Sequence, residues 1–212
     1  MDREAIEKRL AELEERSWDL AAIRRRFEDL LQGRVARGAL GPGQAGEGRE
    51  EILDRVQRRA EEYCYLLRNC AQASAASLFE EFGLGGAEML RALRPFPGLA
   101  MSGGICGPVA GGLTALSLYF SPGDVLNPDI GPAYAASREY LRRFKDRLGS
   151  LLCPDIQTTL LGRCFDPFAS REEFEAFNRS GARERCPLAP GLGARTAAEI
   201  ILEAMAAKQA SG

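Results

Sequence analysis

The sequence contains no histidine. That absence removes Ser-His-Asp and Cys-His nucleophile arrangements, together with every zinc site that uses an imidazole ligand. It also removes c-type haem attachment, because C-x-x-C-H cannot occur. Acid–base work is left to carboxylates, lysine, tyrosine or thiols. There is no C-x-x-C pair either: Cys106-Gly107-Pro108-Val109 carries valine where a vicinal dithiol needs its second sulfur. The G-x-x-x-x-G-K-[ST] phosphate loop and the nucleophile elbow are both missing, which disfavours a conventional hydrolase or transferase. No run reaches the roughly 18 to 20 apolar residues that span a bilayer. The longest candidate, 109–120, is short and broken by Gly111 and Gly112. The start, MDREAIEKRL, is charged from its second residue and lacks the apolar centre of a secretion leader. With a net charge of -2, no global basic field draws in nucleic acid or anionic lipid. Arg24-Arg25-Arg26 and Arg142-Arg143 are interleaved with acids and read as solvated helix faces. These absences predict a cytoplasmic protein with no nucleic-acid and no membrane partner.

What is present is a chain of one-domain length, 212 residues, patterned for helix. Ile6, Leu10, Leu13, Leu20, Phe27 and Leu31 follow a heptad-like seam that predicts an amphipathic helix over 1–32. Ser17 and Arg24 interrupt that seam, so a helix packed on the body, or a short contact in a homo-oligomer, fits better than a long coiled coil. Residues 33–49 are glycine-rich, without periodicity, and read as a flexible linker. A second long helix is expected over 50–82, with Cys70 on the inward face of its stripe, stopped by Gly83 to Gly86. Further helices are expected at 106–120, 132–148, 153–162, 171–178 and 196–208, and Leu99 to Gly104 reads as a loop. No useful period-two alternation occurs. The expected fold class is all-α: a helical bundle of five to seven helices over 50–208, with an extra amino-terminal helix. Glu80-Glu81 and Glu172-Glu173 are adjacent pairs that diverge on a helix, and they read as surface.

Six cysteines in a reducing compartment point to metal binding or redox chemistry rather than structural disulfides. Cys106 stands where a helix begins, and Cys153 and Cys186 each precede proline. Unpaired amides at a helix start favour thiolate, the form that binds metal or attacks a disulfide. By this reasoning Cys106 is the best candidate nucleophile. Free cysteine also packs as a small hydrophobe. Cys64, between Tyr63 and Tyr65, and Cys164, after Gly162, read that way.

Asn69-Cys70-Ala71-Gln72, then Gly103-Gly104-Ile105-Cys106-Gly107-Pro108-Val109-Ala110-Gly111, an isolated Cys153, and Arg185-Cys186-Pro187 followed by Ala197 to Ile201 form an ordered pattern. In it the sequence resembles the redox-active protein family named for its C…GCAxxG…C…C motif, from about residue 50 to 207. The resemblance implies a helical module in which Cys70, Cys106, Cys153 and Cys186 gather. They would bind an iron–sulfur cluster, [2Fe–2S] or [4Fe–4S], or cycle as disulfides in an oxidoreductase working with a redox partner protein. Zinc held by the four thiolates, as the anchor of an assembly module, is the other alternative. Similar modules occur in split-Soret cytochromes, but this chain cannot attach their haem. Pro108 departs from the family's usual alanine, and Pro190 to Gly193 enlarges the segment after the last cysteine.

Overall fold

Asp19 ends the first structural run. In the computed structural model, which describes residues 3–33 and 48–210, its carboxylate accepts a hydrogen bond from the Ala22 amide at 2.9 Å and starts a new helix. The single helix expected over 1–32 is therefore two, α1 (Arg3–Glu15) and α2 (Leu20–Leu31). Ile6, Leu10, Leu13 and Ile23 enter the core of this chain, while Leu20 and Leu31 stay exposed. Most of the linker expected over 33–49 lies outside the described residues.

The long helix expected over 50–82 divides in the same way. Arg68 adopts a left-handed conformation (φ 53°), and its amide bonds back to the Cys64 carbonyl at 2.8 Å. Asn69 then caps the next helix, accepting from the Gln72 amide at 3.0 Å. The products are α3 (Arg49–Leu67) and α4 (Cys70–Phe82). Cys70 thus opens a helix instead of lying inside one.

A short helix, α5 (Ala87–Ala92), leads to α6 (Gly98–Met101), where the expected loop begins. All four residues of α6 have φ between 49° and 61°, so the segment winds left-handed. Such a conformation costs about 1–2 kcal/mol for each residue bearing a Cβ. Then follow α7 (Gly107–Phe120), α8 (Gly131–Leu148), α9 (Cys153–Leu161), α10 (Arg171–Arg179), α11 (Ala182–Arg185) and α12 (Leu188–Ala210). The last begins eight residues earlier than its expected start at 196. Pro190 sits in its first turn, where no amide is needed, and Gly191 and Gly193 serve close packing.

The protein is all-α, with no strand among the described residues. The central layer is α4, packed between α3 and α7, with α12 crossing all three and α8 behind α7. Small side chains allow this closeness. A Cβ added at Gly111 of α7 would stand 2.4 Å from the Ala71 carbonyl oxygen of α4. One added at Gly191 of α12 would meet the Glu61 side chain at 2.7 Å.

Glu80 and Glu81 are buried, which corrects their reading as surface. Arg59 reaches both, at 3.1 and 3.0 Å, Arg55 Nε lies 2.9 Å from Glu81, and the Tyr63 hydroxyl donates to Glu80. The arginines come from α3, one turn apart, so the two carboxylates need not diverge to find cations. No helix among the described residues is long and apolar enough to cross a membrane.

Candidate functional site

The local structure around each cysteine is a chain break that a cap or proline has created. Cys70 is the first residue of α4, after the Asn69 cap. Cys106 is the N-cap of α7, with Pro108 in the first turn, and Cys153 is the first residue of α9, followed by Pro154. Cys186 closes α11 two residues before α12 begins. Three helices therefore present their amino-terminal ends beside a thiol.

Two short tethers align these ends. Ile105 and Leu152 form an isolated antiparallel bridge, in which the Cys106 amide donates to the Leu151 carbonyl at 2.8 Å and the Cys153 amide to the Gly104 carbonyl at 2.9 Å. The bridge sets Cys106 and Cys153 side by side. On the other flank the Asn69 amide group donates to the Arg94 carbonyl at 2.9 Å, and Gln72 donates to the Leu90 carbonyl at 2.8 Å. These bonds hold the start of α4 against α5 and the residues that follow it.

Two glycines make room for sulfur. A Cβ at Gly107 would lie 2.3 Å from Cys70 Sγ, and one at Gly98 would lie 3.3 Å from Cys153 Sγ. Gly98 also has φ +56°, so it is required twice over, for space and for backbone conformation.

Cys70, Cys106, Cys153 and Cys186 all line one cavity of about 630 Å³. Cys64 lines it as well. The sequence reading set Cys64 aside because its neighbours Tyr63 and Tyr65 carry no turn signal. The signal that could have found it was Asn69: a cap there ends α3 just after Cys64 and turns that stretch toward Cys70. Cys164 is exposed, so neither packing nor the cavity claims it.

The thiols differ in acidity. The Cys106 thiol beside it and, against burial, Gln157 Nε2 at 3.4 Å bring Cys153 down to about 7. Cys106 itself is pushed well up, by its contacts with Cys153 and Cys70 and by burial. Burial, reinforced by the surrounding thiols, also raises Cys64 and Cys186, with Arg68 partly opposing the rise at Cys186. The preference for thiolate expected of Cys106 therefore passes to Cys153. A helix start alone did not decide it; the neighbouring thiol that donates to Cys153 did.

The donor set suits a soft, thiolate-liganded metal group: only sulfur, no imidazole, and a glycine cradle that a single Cβ at residue 107 would close. Comparison with curated proteins and with solved structures gave no match. Residues 68–200 match the model of one family, described as "Putative redox-active protein (C_GCAxxG_C_C)". That stretch is well over half of the chain and takes in every cavity cysteine except Cys64, so the chain belongs to this redox-active protein family.

Proposed function

We propose that this is an electron-transfer protein whose Cys70, Cys106, Cys153 and Cys186 hold an iron–sulfur cluster. The observation that supports it is the placing of these four thiols round one cavity, three of them at helix starts. Helix amino termini favour negative charge, and a thiolate-ligated cluster is anionic. When bound, such a cluster supplies electron transfer at a potential set by its charge, hydrogen bonds and exposure. The chain's own contributions are separate. The bridge at Ile105 and Leu152 orients two thiols, Gln157 donates to Cys153, and the glycines give the sulfurs space.

Isolation of the full chain without air, followed by iron and acid-labile sulfide analysis, tests the proposal. The expected result is brown protein holding iron and sulfide in equal amounts and bleached by dithionite. Colourless protein carrying zinc would sink it. Cys153→Ser should lose the iron, whereas Cys164→Ala should keep it.

A second reading rests on the acidity difference between Cys153 and Cys106. Cys153 as thiolate would attack a substrate disulfide, displacing one substrate thiolate and forming a mixed disulfide. Cys106 would then give up its proton and displace the second, leaving a Cys106–Cys153 disulfide and a reduced substrate. Counting free thiols before and after mild oxidation checks this route, and an unchanged count rules it out.

A further inference from the structure

Arg68, Arg94 and Arg183 line the thiol cavity, and no Asp or Glu among the described residues does. Several arginines elsewhere pair with carboxylates, as at Arg9, Arg55, Arg143 and Arg195. The cavity arginines differ. Arg68 donates to the amide oxygen of Asn178, Arg183 lies over the Tyr65 ring at 4.4 Å, and the Arg94 guanidinium has no partner among the described residues. Arg68 also holds a left-handed φ of 53°, a conformation in which glycine would be unstrained.

Three aromatic side chains line the cavity as well. Phe168 is 80% exposed and Phe174 is 51% exposed, with Phe177 beside them. Phe174 and Phe177 belong to α10, none of whose residues is fully buried, and Phe168 to the turn before it; Phe177 also packs on the buried Phe165. Apolar rings and guanidinium groups not neutralised by a carboxylate, together lining a space of about 630 Å³, have the make-up of a small-molecule site.

We propose that this cavity binds an organic carboxylate with an aromatic or apolar body. Its acid group pairs with Arg68, Arg94 and Arg183, and its body lies against Phe168, Phe174 and Phe177. Guanidinium is the cation that matches a carboxylate in two parallel hydrogen bonds. The proposal goes beyond the redox reading and holds whether the thiols carry a cluster or one another. Bound there, the carboxylate would share its cavity with Cys153 and Cys186.

The test is titration calorimetry on the full chain, isolated without air and reduced, with 2-naphthoate, 2-naphthamide and acetate as probes. Saturable one-site binding of 2-naphthoate is expected, about tenfold or more tighter than 2-naphthamide, which lacks only the charge. Acetate, charge without body, should give no measurable heat. Arg94→Gln should abolish most of the preference for naphthoate and leave naphthamide unchanged; Phe168→Ala should weaken both. Both side chains are exposed, and circular dichroism checks that the variants fold. No saturable naphthoate binding, or undiminished preference in Arg94→Gln, overturns the proposal. So does a variant that loses iron while keeping its naphthoate affinity, since its arginine then serves the cluster. Iron-free wild-type protein that still prefers naphthoate counts against the cluster alone.

Discussion

Cys153 titrates near 7 because the Cys106 thiol and the Gln157 amide donate to its sulfur, outweighing burial. Its thiolate is thus abundant above pH 7 and disappears below it, whereas an ordinary thiol needs about pH 8.5. In reduced, metal-free protein, alkylation at Cys153 should rise with a midpoint near pH 7, read by mass spectrometry across a pH series. Cys106→Ala removes the larger donor and should move that midpoint upward. The sign reverses for Cys64, Cys106 and Cys186. Their folded-state values are raised, so the neutral thiol is the form the fold prefers. The stability this contributes is fully present below the unfolded thiol value and is lost as pH climbs toward the folded ones. Melting of the reduced, metal-free protein should accordingly fall steeply above about pH 8.5, and Cys64→Ala should flatten that fall.

Helix ends and helix crossings locate the sulfurs, and each can be broken singly. Asn69→Ala removes a cap worth about 1 kcal/mol, together with the tie to the Arg94 carbonyl. Cys70 should loosen, with iron binding reduced more than the modest drop in Tm would suggest. Gly111→Ala forces a Cβ to within 2.4 Å of the Ala71 carbonyl, so α7 must back away from α4. A loss of roughly 1–3 kcal/mol, or more, is expected in denaturant unfolding. These elements also show how much could be read before the structure. The positions of α7, α8 and α9 were legible because proline or glycine marks their ends. The breaks at Asp19 and Asn69 were not, since both fall within apolar periodicity that continues across them. Cys106, Cys153 and Cys186 were legible from their helix-start and proline settings, and Cys70 from its place in the ordered cysteine pattern. Cys64 was hidden by the missed break at residue 68, and the arginine wall by the distance in sequence between residues 68, 94 and 183.

At the scale of the molecule, the amino-terminal helices are bound to the body through charge as well as through their apolar side chains. Glu61 is fully buried, and Arg9 and Arg16 meet it at 2.6 and 3.0 Å; Arg16 and Arg26 share Glu62. Removing residues 1–33 strands Glu61 without its cations, a change that typically costs about 3–5 kcal/mol. The truncated chain should therefore unfold or aggregate, and adding Glu61→Gln should recover part of its solubility and thermal stability. Next to this contact Arg16 lies over the Trp18 ring, Trp18 stacks on Tyr65 at 4.4 Å and 7°, and Arg183 covers the other ring. Trp18 is the chain's single tryptophan. One end of this column belongs to the amino-terminal segment and the other to the thiol cavity, so the indole is a built-in optical gauge: whatever draws Arg183 off Tyr65 should register in its emission, without any label.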